Sequence, residues 1–149
     1  MAYLDVITLD RVKNYLRLDT GFTADDVEII SMIKAACKFI ELRTNHIFFA
    51  QDKVFNGLVN VQVYDYPINT LISPTDATVV YFATSNSYTA QTTVTLNVGY
   101  VLPEDVPQEL IAAALQMVKV WYYESEKQVN TMLIPMSVLQ AVDINRRFL

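Results

Sequence analysis

The stretch Val94–Glu126, VTLNVGYVLPEDVPQELIAAALQMVKVWYYESE, decides the class of fold. Val94, Leu96 and Val98 alternate with Thr95 and Asn97, the period of a strand with one face buried. The strand ends at Gly99-Tyr100. Pro103 and Pro107 then introduce a helix, with Pro107 suited to its first turn and Asp105 just before it. From Leu110 to Tyr123 the only polar side chains besides the tyrosine hydroxyls are Gln116 and Lys119. A helix so apolar all round is covered on more than one side. Ala112-Ala113-Ala114 would let another backbone approach closely. Strand and helix in succession predict an α+β chain.

Working outward, helical patterns occupy both ends and strand patterns the middle. Thr8 to Leu18 reads as a short helix with Thr8 as N-cap and Leu9, Val12 and Leu16 on one face. Gly21 is expected to terminate it in the left-handed conformation. A second helix opens at Thr23, where Thr23 and Asp26 have capping-box spacing, and ends near 43–45. Asp25, Asp26 and Glu28 complement its positive end. Ile29, Ile30, Ile33, Ala36, Cys37 and Ile40 form its apolar stripe. In the middle, Val59, Val61 and Val63 alternate with polar residues, and Thr78–Phe82 is β-branched and aromatic. Pro67 and Pro74 punctuate the run between them, and Ser85-Asn86-Ser87 signals a turn. Ser137 and Gln140 form a second capping box opening a short final helix. The expectation is a small bundle of three to four helices with a central antiparallel strand insertion packed on it, one domain over residues 1–149.

The composition narrows the function. The chain has 149 residues, 52% of them apolar and 18% charged, which is ample for a core and too apolar for disorder. No window reaches the length of uncharged apolar sequence that a membrane span needs. An acid, Asp5, stands where a signal peptide would carry positive charge, so the chain is expected to be soluble and made in the cytoplasm. Sixteen acids against eleven bases give −5, and no Lys or Arg occurs from residue 54 to residue 118. The five acids of that stretch (Asp65, Asp76, Glu104, Asp105 and Glu109) account for the whole net charge. Phosphate binding draws on clustered Lys and Arg, which this segment lacks.

Catalytic constellations are missing at the level of residue types. Cys37 lies in an apolar stripe and His46 just past a helix end, both structural positions. Two N/S ligands cannot hold zinc. Gly21, Gly57 and Gly99 are too far apart for a phosphate loop. Trp121-Tyr122-Tyr123, without basic neighbours, is core or interface rather than a platform for bases. No catalytic constellation rises above background.

Three blocks in order carry a resemblance. NYLRLD (14–19) followed by DDVEIISMIKAACKFIELRTN (25–45), the stretch 94–126 quoted above, and IPMSVLQAVDINRRF (134–148) together cover somewhat over half the chain. They resemble the head–tail connector (adaptor) proteins of tailed double-stranded-DNA bacteriophages. The resemblance implies a structural virion protein of the neck, without enzymatic activity and without a cofactor. It would form a ring, commonly of twelve subunits, on the portal of the filled head, extend the DNA channel and receive a tail or stopper protein. DNA in transit would touch it only passively, and no membrane is involved. On that reading Ala112, Ala113 and Gln116 are candidates for the subunit interface. Arg146, Arg147, Phe148 and Leu149 are candidates for partner contact, and Asp65 and Asp76 are acids that would face the channel. The alternative is a small monomeric or dimeric protein-binding module, such as a tail-completion or regulatory protein.

Overall fold

The computed structural model describes residues 2–83, 85–125 and 134–146. Its helices are α1 (Tyr3–Val6), α2 (Leu9–Leu16), α3 (Asp26–Thr44), α4 (Gln108–Ser125) and α5 (Met136–Ile144). Between α3 and α4 run six strands: β1 (Gln51–Asn56), β2 (Val61–Val63), β3 (Ile68–Ser73), β4 (Thr78–Tyr81), β5 (Asn86–Thr89) and β6 (Thr93–Val98). The α+β expectation holds.

The helices form one core. Of the predicted stripe, Ile29, Ile33, Ala36, Cys37 and Ile40 of α3 are completely buried, while Ile30, at its edge, is half-buried. They meet Leu110, Ile111, Ala114, Met117 and Val118 of α4 in the same cluster. α4 touches α2, α3 and α5, which is why its sequence keeps so few polar positions. Residues Val138 and Val142 of α5 close the cluster from the other side.

The strands form a second core. They make two antiparallel sheets, in the orders β1-β6-β3 and β2-β5-β4, rather than the one sheet expected. Val61 and Val63, Tyr88, and Val94, Leu96 and Val98 point into a shared apolar interior. The sheets therefore bury their inner faces against each other and not chiefly against the helices. Three strands escape a reading by period. β1 carries Asp52 and Lys53, β3 lies between Pro67 and Pro74 with two register shifts, and β5 begins inside the supposed turn at Asn86.

Residues 45–50 join the two cores. Asn45 takes a left-handed conformation and ends α3. Ile47 then turns into the strand core while its neighbour Phe48 turns into the helical core. Main-chain bonds lace the segment on both sides: Ile47 N–H donates to Tyr66 O, Tyr100 N–H to Ile47 O, and Ala50 N–H to Tyr100 O.

Helix ends depart from expectation in three places. Arg17, not Gly21, adopts the left-handed cap of α2, at φ 61°, while the Gly21 N–H is held by Asp19. Helix α3 starts at Asp26 with Asp25 as N-cap, so the Thr23 capping box does not form. Helix α5 is capped by Pro135, and Ser137 Oγ instead accepts a hydrogen bond from Gln116 Nε2 at 2.7 Å. The Thr8 cap of α2 does form, accepting from Arg11 N–H.

Candidate functional site

Polar side chains inside the helical core are tied to architecture. Lys13 is 2% exposed on the inner side of α2. Its ammonium lies 2.6 Å from Asp26 Oδ1 and donates to the carbonyls of Phe22 at 2.7 Å and Thr20 at 3.3 Å. The adjacent Asp25 accepts from the Tyr122 hydroxyl at 2.7 Å, and Tyr123 donates to Leu16 O at 2.6 Å. So the acids read as helix-dipole partners also fasten α3 to α2 and α4, and the Tyr122-Tyr123 pair reaches the same corner. A buried carboxylate has such partners or is costly.

A second polar knot sits at the seam between the cores. Glu41, 2% exposed, accepts from the Tyr3 hydroxyl at 2.7 Å, the Phe48 N–H at 2.9 Å and Lys38 at 3.3 Å. Burial, this hydrogen bond and the Glu41 charge hold the Tyr3 hydroxyl well above its ordinary range. His46 Nδ1 is 2.7 Å from the Tyr100 hydroxyl, and its ring stacks on Tyr100 and meets Tyr66 edge-on. His46 thus belongs to an aromatic cluster, away from Cys37 in the helical core.

Burial, with the Glu41 charge adding to it, pushes the Cys37 thiol up from 9.0 to about 12. The sign follows from linkage. The folded state keeps the proton while the unfolded chain loses it, so this contribution to stability is complete below about pH 9. It falls as pH rises toward 12, by as much as ~1.4 kcal/mol per pH unit. Urea titrations from pH 8 to 11 should show that decline, shallower in Cys37→Ala. Equal slopes in the two proteins would remove the thiol from the account.

Among the described residues no three His, Cys, Asp or Glu side chains gather as a metal site. What remains are surfaces. An apolar groove of about 360 Å³ lies between α3 and the end of α4, lined by Ala35, Lys38, Phe39, Leu42, Trp121 and Ile134. A more polar hollow of about 330 Å³ lies between Tyr15 of α2 and Gln116, Lys119, Tyr123 and Glu124 of α4. Leu58 and Val59, in the turn after β1, and Tyr81 and Phe82, at the end of β4, are exposed.

Of the candidate contact residues, Ala112 is exposed and Gln116 half-buried at the edge of the hollow. Ala113 is 3% exposed within the chain's own helical core, which leaves Ala112 and Gln116 as the outward members of that set. Asp76 is exposed, whereas Asp65 is half-buried and lies 2.8 Å from Lys53. Its charge is therefore met by the last base before the acid-only stretch. Arg146 is exposed after α5, and Arg147, Phe148 and Leu149 lie outside the described residues.

This architecture, a helical core joined to a two-sheet unit, has counterparts among solved structures. A chain in the neck of an empty gene transfer agent (GTA) particle, computed with C6 symmetry, superposes with a TM-score of 0.73. The fold is shared almost end to end. The match covers 99% of this chain and 93% of that one at 17% sequence identity. A chain from the virion of the native GTA particle gives a TM-score of 0.71 over 96% and 90% of the two chains, at 16% identity. No protein-family model matches the sequence, and no curated protein does.

Proposed function

We propose that this chain is a structural virion protein of the neck, a single connector domain over residues 1–149 that assembles as a ring between portal and tail. The observation that carries the reading is the agreement of fold, over nearly the full length of both chains, with a chain of a GTA particle neck. The order of the sequence blocks at 14–45, 94–126 and 134–148, similar to head–tail connectors, supports it independently. A ring of six or of twelve satisfies the C6 symmetry stated for that neck. Twelve is the number the sequence resemblance implies.

In this reading the ring neighbours meet through Ala112, Gln116 and the hollow beside them. The segment from Arg146 to Leu149 contacts the portal, combining two guanidinium groups with two apolar side chains. A tail or stopper protein docks on the opposite side. Asp76 is the acid kept for the channel lining, where a negative surface would let DNA pass without gripping its phosphates. The test is electron microscopy of the purified protein mixed with its portal. A ring coaxial with the portal is expected, and deletion of 146–149 should weaken docking while shifting the melting temperature little. Failure of the intact protein to bind the portal or form a ring would reject the neck reading in favour of a small binding module.

A further inference from the structure

The six strands leave four outer edges, and three of them are guarded. Native sheets blunt an open edge with charge, proline, a bulge or shortness, because its unpaired N–H and C=O groups would otherwise recruit another strand. β1 carries Asp52 and Lys53, and β2 has three residues. β3 has two register shifts and is flanked by Pro67 and Pro74. β4, four residues long and extended by Phe82, carries no charge, proline or bulge. Its sequence is Thr78-Val79-Val80-Tyr81, followed by Phe82, and it is paired only with β5. Val80 is 41%, Phe82 55% and Tyr81 74% exposed. No charged residue occurs from Ala77 to Asn97.

The phase of the ladder says which groups are on offer. β4 and β5 pair Thr78 with Thr89 and Val80 with Ser87, and the Phe82 N–H donates to Ser85 O at 2.9 Å. In an antiparallel pair, hydrogen-bonded and non-bonded positions alternate. The inward bonds therefore belong to residues 78, 80 and 82, and the main-chain groups of Val79 and Tyr81 point outward. Among the described residues no backbone hydrogen bond reaches that side.

We infer that β4 pairs antiparallel with β4 of a second copy of this chain. Centred on Val80, Val79 of each copy faces Tyr81 of the other, and those two positions exchange four main-chain hydrogen bonds. Val80 then opposes its own counterpart at a non-bonded position, and each Tyr81 lies beside a Val79, an aromatic–β-branched pair of the favourable kind. The occupant is a second copy for two reasons. With the other edges guarded, this is the one unguarded edge among the described residues, so strand addition between copies would use it on both sides. The absence of charge also lets identical surfaces meet without like-charge repulsion. Such a contact is isologous and closes on itself, so it joins copies in twos and cannot propagate around a ring. It stands apart from the neck reading and does not rest on it.

The test uses the full chain. Sedimentation over a concentration series should show a species of twice the 17.0 kDa chain mass. Tyr81→Lys, which plants a charge on the edge, should return it to monomer with an unchanged circular-dichroism melt. In Val80→Cys, Cα atoms about 4.5 Å apart at a non-bonded pair fall within disulfide range, so mild oxidation should give a covalent dimer. Thr78→Cys should not cross-link, because its counterpart lies four residues away along the paired strands, and buried Cys37 stays out of the reaction. A monomeric wild-type protein, a dimer that survives Tyr81→Lys, or a Val80→Cys protein that stays reduced would each overturn the pairing. Portal binding by Tyr81→Lys is read separately: its retention leaves the neck reading standing whatever the cross-link shows.

Discussion

Gly99→Ala is expected to destabilise the fold by about 3 kcal/mol or more, with a loss of folded protein on expression. Gly99 closes β6 at φ +111°, a conformation that side chains with a Cβ rarely adopt. A Cβ there would lie 2.2 Å from the main-chain oxygen of Phe49 and 2.6 Å from its carbonyl carbon. Neither can move freely. Phe49 sits between Phe48 and Ala50 in the laced segment, and the Gly99 N–H is itself bonded to Pro67 O at 2.8 Å. Gly21→Ala is the matched control. Its Cβ would meet only the Asp19 carboxylate at 3.2 Å, the end of an exposed side chain, so a change under about 1 kcal/mol is expected. Equal melting temperatures for Gly99→Ala and the parent would refute the close-approach argument.

Lys13→Met should cost about 3 kcal/mol in denaturant titrations, although methionine suits a helix and fills similar space. The loss comes from what lysine leaves behind: the Asp26 carboxylate without its ammonium and the Phe22 carbonyl without a donor. The double change Lys13→Met with Asp26→Leu should recover much of the stability, because removing both partners spares the unpaired charge. A single variant as stable as the parent, or a double variant no better than the single, would show that the buried pair does not hold α2 to α3.

The helices were legible because their information is local. The α3 stripe, Ile30 apart, and most of the apolar run of α4, Ala112 and Val120 apart, are buried in the helical core as their spacing predicts. The short helix α1 was missed, since four residues leave no periodicity to read. The strands divide by the same logic. β6 alternates within itself, but β1 makes sense only beside a partner about forty residues away, Gln51 facing Val98 and Asn56 facing Thr93. Asn86 and Ser87, good turn residues in isolation, became strand because Val63 and Tyr81 flank Asn86 in the second sheet. The corner chemistry was half legible. Asp25 and Asp26 stand at a helix start as expected, yet nothing local announces that Tyr122 and Lys13 reach them. Arg17 took the left-handed cap expected of glycine, a cost of local strain that a sequence rule assigns to the cheaper residue nearby.

The alternation of Ile47 and Phe48 has a mechanical consequence. Two neighbouring side chains are anchored in different interiors, and the backbone between them is bonded to the chain at Tyr66 and at Tyr100. A pull on the strand unit cannot be absorbed by a slack linker, because the segment after α3 has none to give. It passes as shear across several hydrogen bonds loaded in parallel and arrives at the C-terminal end of α3. Tension across this junction is therefore expected to be shared among the main-chain bonds to Tyr66 and Tyr100 rather than carried by the covalent chain from 45 to 50 alone.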